Sequence, residues 1–122
     1  MKTCAIGLAL ACGVLASTAA SAAPVSTGKG GDVERGRLLL RQFGCGRCHT
    51  IPGVEAAQGR VGPPLARLKE RVYLAGVLPN TRDNLARWIR HPQQVQPGTA
   101  MPDMQVSGPH ALDIVAYLYS LP

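Results

Sequence analysis

"FGCGRCHTIPG", Phe43 to Gly53, sets Cys45 and Cys48 three positions apart with His49 directly after the second. That spacing serves three chemistries: a redox-active dithiol, part of a zinc site, or a covalent anchor for haem. The flanking segments decide among them.

Upstream, "DVERGRLLLRQFGCGRCH" opens on Asp32, a suitable N-cap, and carries apolar residues at Val33, Leu39, Leu40 and Phe43. The spacing predicts one helix that runs into the cysteine motif. A dithiol enzyme needs its cysteines at a helix start within a βαβ unit, and no strand precedes them here. Structural zinc needs four ligands, and the remaining histidines, His91 beside Pro92 and His110 in the first turn of a later helix, form no second ligand pair. Haem accounts for the whole motif. At helical positions i, i+3 and i+4, two thiols reach two vinyl groups along one porphyrin edge while the imidazole turns under the iron.

Downstream, "TIPGVEAAQGRVGPPLARL" is rich in Gly and Pro and reads as a loop, with a short helix predicted over Pro64 to Val72. "LPNTRDNLARWIRHP" predicts a helix capped by Asn80 or Thr81, striped by Leu85, Trp88 and Ile89, and stopped at Pro92. Pro97, Pro102 and Pro109 punctuate the next loop. In "SGPHALDIVAYLYSLP", Ser107 caps and Pro109 suits a first turn. Leu112, Val115, Ala116 and Tyr119 form the expected apolar face, widened by Ile114, Tyr117 and Leu121. The reading is an all-α domain of three to four short helices joined by long loops.

Such a domain lacks material for its own core. The chain has 10 Pro and 14 Gly, but only 1 Phe, 1 Trp and 3 Tyr. Ordering long loops costs entropy that so few large side chains offset poorly. A planar apolar cofactor gripped by those loops would complete the core.

The first residues point to export. "MKTCAIGLALACGVLASTAASAAP" has a cationic start at Lys2, an apolar run from Ala5 to Ala16 and an A-x-A site at Ala20 to Ala22. Residues 1–22 are expected to be a cleaved signal peptide, 23–31 a flexible linker and 32–122 the domain. The apolar run is too short for a permanent membrane span. A lipoprotein reading of Cys12 fits poorly, because the apolar run continues past it. Cys4 and Cys12 leave with the leader, so no thiol outside the motif remains for a disulfide framework. Covalent haem attachment takes place outside the bacterial cytoplasm, which agrees with export.

The whole chain carries 13 Lys and Arg against 7 Asp and Glu. Its arginines are scattered from Arg35 to Arg90, without a basic block or a base-reading motif, so nucleic acid is excluded as a partner. Docking on an acidic protein face is the better use of this charge. For the second iron ligand, "PGTAMPDM" offers Met101 and Met104 in a loop stiffened by prolines.

Together "GDVERGR", "CGRCH", "VGPPL", "PGTAMP" and "DIVAYLYSL", in this order and at these separations, resemble a class I monohaem cytochrome c. The stretch from Leu78 to Pro102 also resembles the cytochrome c domain fused to subunit II of haem-copper oxidases. The resemblance implies a cytochrome c fold wrapped around one covalent haem c. It assigns Cys45 and Cys48 as attachment points, and His49 and Met101 as axial ligands in preference to Met104. It makes the Pro63 carbonyl the acceptor for the His49 imidazole, gives Arg71 and Tyr73 to the haem propionates and sets Trp88 on the methionine side. Gly36 and Tyr117 would mark the crossing of the first and last helices. A mitochondrial-type lysine ring is absent, and the central loop is short.

The implied function is that of a periplasmic one-electron carrier, not an enzyme, monomeric and cycling between Fe(II) and Fe(III). Its electron port would be the haem edge near Cys45 and Cys48, flanked by Arg47 and Arg90. The expected partners are proteins with an acidic docking face, such as a terminal oxidase or a periplasmic dehydrogenase. Two alternatives stand beside it: the haem subunit of a larger periplasmic dehydrogenase or oxidase complex, and an open-site haem sensor or enzyme with both methionines off the iron.

Overall fold

The computed structural model describes residues 30–122; the expected leader and most of the linker lie outside them. Four helices frame the domain: α1 Val33–Gln42, α2 Arg82–Arg90, α3 Pro92–Val95 and α4 Gly108–Ser120. A two-stranded hairpin, β1 Tyr73–Leu74 and β2 Leu78–Pro79, is the one sheet among the described residues.

α1 starts where expected, with the Asp32 carboxylate accepting from the Arg35 amide at 2.8 Å. It ends before the cysteines. Phe43 is its C-cap, Gly44 turns left-handed at φ 68°, and a separate 3-10 turn, Cys45–Arg47, follows. The single helix expected to run into the motif is thus broken by a glycine that tolerates the turn.

α4 is capped by Ser107, whose hydroxyl accepts from the His110 amide, and has a proline in its first turn. Ala111, Ile114, Val115 and Leu118 are almost fully buried, whereas Leu112, expected on that face, is 37% exposed. Asp113 takes the inward position instead, at 2% exposure. Its carboxylate accepts from the Asp32 amide at 2.8 Å and from the Arg35 guanidinium at 2.9 Å, which ties the start of α1 to α4. A buried charge is tolerated when it is paired and hydrogen-bonded in this way.

The two helices cross closely at Gly36. A Cβ there would fall 2.0 Å from the Asp113 carbonyl and 3.0 Å from the Tyr117 Cβ, so only glycine fits. Tyr117 then reaches beyond the crossing and donates to the Pro52 carbonyl at 2.7 Å.

The short helix expected over Pro64 to Val72 shrinks to a 3-10 turn, Leu68–Glu70. Leu68 is buried while Val72 is 73% exposed. The hairpin follows, closed by the Val77 amide on the Leu74 carbonyl at 3.0 Å, with Ala75 and Gly76 both left-handed. Two-residue strands carry no readable alternation, which is why the sequence did not announce them.

Thr81 caps α2 and accepts from the Asn84 amide at 3.2 Å. Asn80, the other candidate cap, donates to the Leu68 and Arg71 carbonyls at 2.7 and 2.8 Å and accepts from Tyr119 at 2.7 Å. It thereby joins the 3-10 turn to α4. Pro92 ends α2 as expected, but it also opens the single-turn α3, where a missing N–H is harmless.

Candidate haem site

Gly44 delivers the chain into one tight turn. The Cys48 and His49 amides both donate to the Cys45 carbonyl, at 3.2 and 3.0 Å. Cys45, Cys48 and His49 therefore share one face of a single turn, although no long helix presents them. Both thiols are free, and burial pushes that of Cys45 up.

The following loop folds back over this turn. The Gly62 amide donates to the Cys48 carbonyl at 2.8 Å and the Gly59 amide to that of Gly46 at 3.0 Å. Thr50 adds its hydroxyl to the Gly59 carbonyl at 3.0 Å. At Gly62 a Cβ would lie 2.3 Å from the His49 Cε1, so the backbone itself forms one wall of the imidazole slot. Here His49 Nδ1 donates to the Pro63 carbonyl at 2.7 Å. A carbonyl only accepts, so the proton stays on Nδ1 and Nε2 keeps its lone pair for a metal.

Beside the imidazole lies a cavity of about 330 Å³ walled mainly by apolar side chains, Leu40, Leu68, Leu85, Ile114 and Leu118 among them. Cys45, Cys48, His49 and Pro63 border it on the motif side. Trp88, from α2, and Met101 and Met104, from the proline-braced loop, border it as well. Arg71 and Tyr73 complete the residues expected there, and among the described residues Arg71 is the one Asp, Glu, Lys or Arg on the wall. Its guanidinium donates to the Pro64 carbonyl, next to the carbonyl that holds His49. Arg47 is exposed, and Arg90, half-buried on α2, does not line the cavity.

These residues fit a haem. Two thiols on one turn, an imidazole with a free Nε2, two thioethers and a leucine-rich wall are the donor set and environment that such a group requires. Among the described residues no group of three or more His, Cys, Asp and Glu is placed to hold a metal, so the zinc reading lacks its ligands. Three contributors were not read from the sequence: Gly62 as a slot wall, Asn80 as a junction, and Gln93, whose side chain reaches the methionine loop. Gly62 sits inside the recognised "VGPPL", yet its closeness to His49 is a tertiary contact.

Residues 33–122 match the family described as Cytochrome c, and the chain belongs to it. That membership establishes an electron-transfer, haem-binding domain of mostly helical fold. Among relatives, the chain is 38% identical over 90 residues to cytochrome c oxidase subunit 2 of Alkalihalophilus pseudofirmus, an overlap that spans 71% of this chain and 25% of that protein. It is 31% identical over 78 residues to the Bacillus subtilis protein of the same name, covering 62% of this chain and 22% of the relative. The chain thus spans about a quarter of the length of the relatives it matches. No helix among the described residues is long and apolar enough to cross a membrane.

Proposed function

We propose that this chain is an exported one-electron carrier with one haem c attached through Cys45 and Cys48 and ligated by His49 and Met101. The supporting observation is that the turn bearing both thiols and the Pro63-held imidazole faces the same apolar cavity that Met101 borders. When bound, the haem supplies a one-electron Fe(II)/Fe(III) couple. Pro63 keeps the His49 imidazole oriented, and the leucines around the cavity exclude water. A thioether from Met101 and this apolar wall favour the reduced state and raise the potential. Arg71 and Tyr73 serve the propionates, and Trp88 packs on the methionine side.

The protein acts in the periplasm as a monomer and docks weakly on acidic partner faces, as suits rapid turnover. The test is the ferric absorption spectrum of the matured protein, taken with its mass. One haem per chain and a thioether-to-iron charge-transfer band are expected. Met101→Ala abolishes that band and Met104→Ala preserves it. A native spectrum without the band would replace the carrier with an open-site haem protein.

A second reading, the haem-bearing module of a larger oxidase or dehydrogenase complex, is favoured by the oxidase-subunit relatives. Stable co-purification with a membrane oxidase would select it over the free shuttle.

A further inference from the structure

Gln93, exposed on α3, spends its whole side-chain amide on the loop that follows. Nε2 donates to the Thr99 carbonyl at 2.8 Å and to the Met101 carbonyl at 3.1 Å. Oε1 accepts from the Gly98 amide at 3.2 Å. Among the described residues, Gly98 to Met101 have few other hydrogen bonds: the Thr99 amide reaches the Gln96 carbonyl at 3.1 Å, and the Met101 amide meets the Thr99 hydroxyl at a long 3.3 Å. Gly98 is left-handed at φ 81°, so this part of the chain follows no regular ladder.

Met101 and Met104 both border the cavity, and Met104 is 38% exposed. The amide grips the chain at Gly98, Thr99 and Met101 and leaves Met104 beyond its reach. We infer that Gln93 is a positioning residue that holds the Met101 backbone so that this thioether, not that of Met104, is presented to the haem iron. The inference rests on the reading of Met101 as the axial ligand.

The polarity of the clamp is specific. Two of its three partners are carbonyls, so an amide nitrogen is required. A glutamate at this position would set anionic oxygens against both of them. Gln93→Glu, close in size, is therefore expected to act as a disruptive change.

The experiment titrates ferric holoprotein with imidazole, a small competitor for the methionine position, and follows the charge-transfer band. Gln93→Ala should bind imidazole about tenfold more tightly, as expected for the loss of hydrogen bonds worth about that factor. Gln93→Glu should do so at least as strongly. Tyr119→Phe, which removes the bond to Asn80 and shares no hydrogen bond with Gln93 or the methionine loop, is the control and should stay within twofold of the parent even where its Tm falls. The inference is overturned if both Gln93 variants stay within twofold, or if Tyr119→Phe shifts affinity as much as they do. Met101→Ala separates the two layers. A band that survives it ends the Met101 reading together with the clamp, whereas a lost band with unaltered imidazole binding in the Gln93 variants ends the clamp alone.

Discussion

The imidazole of His49 is held by two backbone groups, the Pro63 carbonyl and the Gly62 Cα, rather than by a side chain. Substitution at Gly62 therefore reaches the proposed iron ligand directly. Gly62→Ala inserts a Cβ 2.3 Å from the ring, which must swing away and lose its carbonyl partner. Loss of such an outer support commonly weakens a metal site by about 10- to 100-fold. The less basic imidazole stabilises ferric iron less, so the change should appear as a raised reduction potential and loss of the protected Nδ1 proton in NMR spectra. Asp113 offers a second prediction at this scale. Burial pushes its carboxyl up, but the bonds from Arg35 and the Asp32 amide outweigh burial and hold it below the ordinary aspartate range. The unfolded chain takes up this proton near pH ~3.9, while the folded chain resists it. The stabilisation is thus complete above that pH and is lost as pH falls through the lower folded value. Asp113→Asn should flatten this acid limb in chemical denaturation and cost roughly 1.5–3 kcal/mol at neutral pH.

Between elements, the crossing of α1 and α4 carries the domain. Its closeness depends on Gly36, whose absent side chain leaves room for the Asp113 carbonyl and the Tyr117 stem. Gly36→Ala improves helix propensity by about 1 kcal/mol, but the Cβ meets backbone at 2.0 Å. The helices must separate, at a cost of about 1–3 kcal/mol. A net loss of thermal stability, despite the better helix former, should be visible in a calorimetric scan. The 3-10 turn is instead tied to α4 by hydrogen bonds, with Asn80 donating to the Leu68 and Arg71 carbonyls and accepting from Tyr119.

Taken whole, the molecule is a leucine-lined shell around about 330 Å³ of cavity. An unfilled apolar volume of that kind forfeits the contacts of its lining, and the long loops add their ordering cost. If the haem completes this core, the Cys45→Ala/Cys48→Ala protein, which cannot attach it covalently, should keep part of its far-ultraviolet helical signal and lose its near-ultraviolet signal and cooperative melting. Charge acts at the same scale. Arg35, Arg37, Arg41 and Arg67 pair with carboxylates of the same chain, while Arg47, between the two cysteines, forms no such pair among the described residues. Electron transfer to an acidic partner should slow as ionic strength rises, and Arg47→Glu should slow it further at low salt.

Local chemistry was legible in the sequence: the motif, the caps at Asp32, Thr81 and Ser107, the α2 stripe, and the ordered segments that mark the family. Each depends on residues near one another along the chain, where spacing and backbone preference act directly. The break at Gly44, the inward turn of Asp113 and outward turn of Leu112, the hairpin and the Gln93 bonds were decided only by tertiary structure. Their partners lie across the fold or depend on a backbone turn that several residues set together, so periodicity carries no trace of them. The motif determined that one turn offers two thiols and an imidazole to one side. The loop returning through Gly62 and Pro63 determined that this imidazole is held with its Nε2 free.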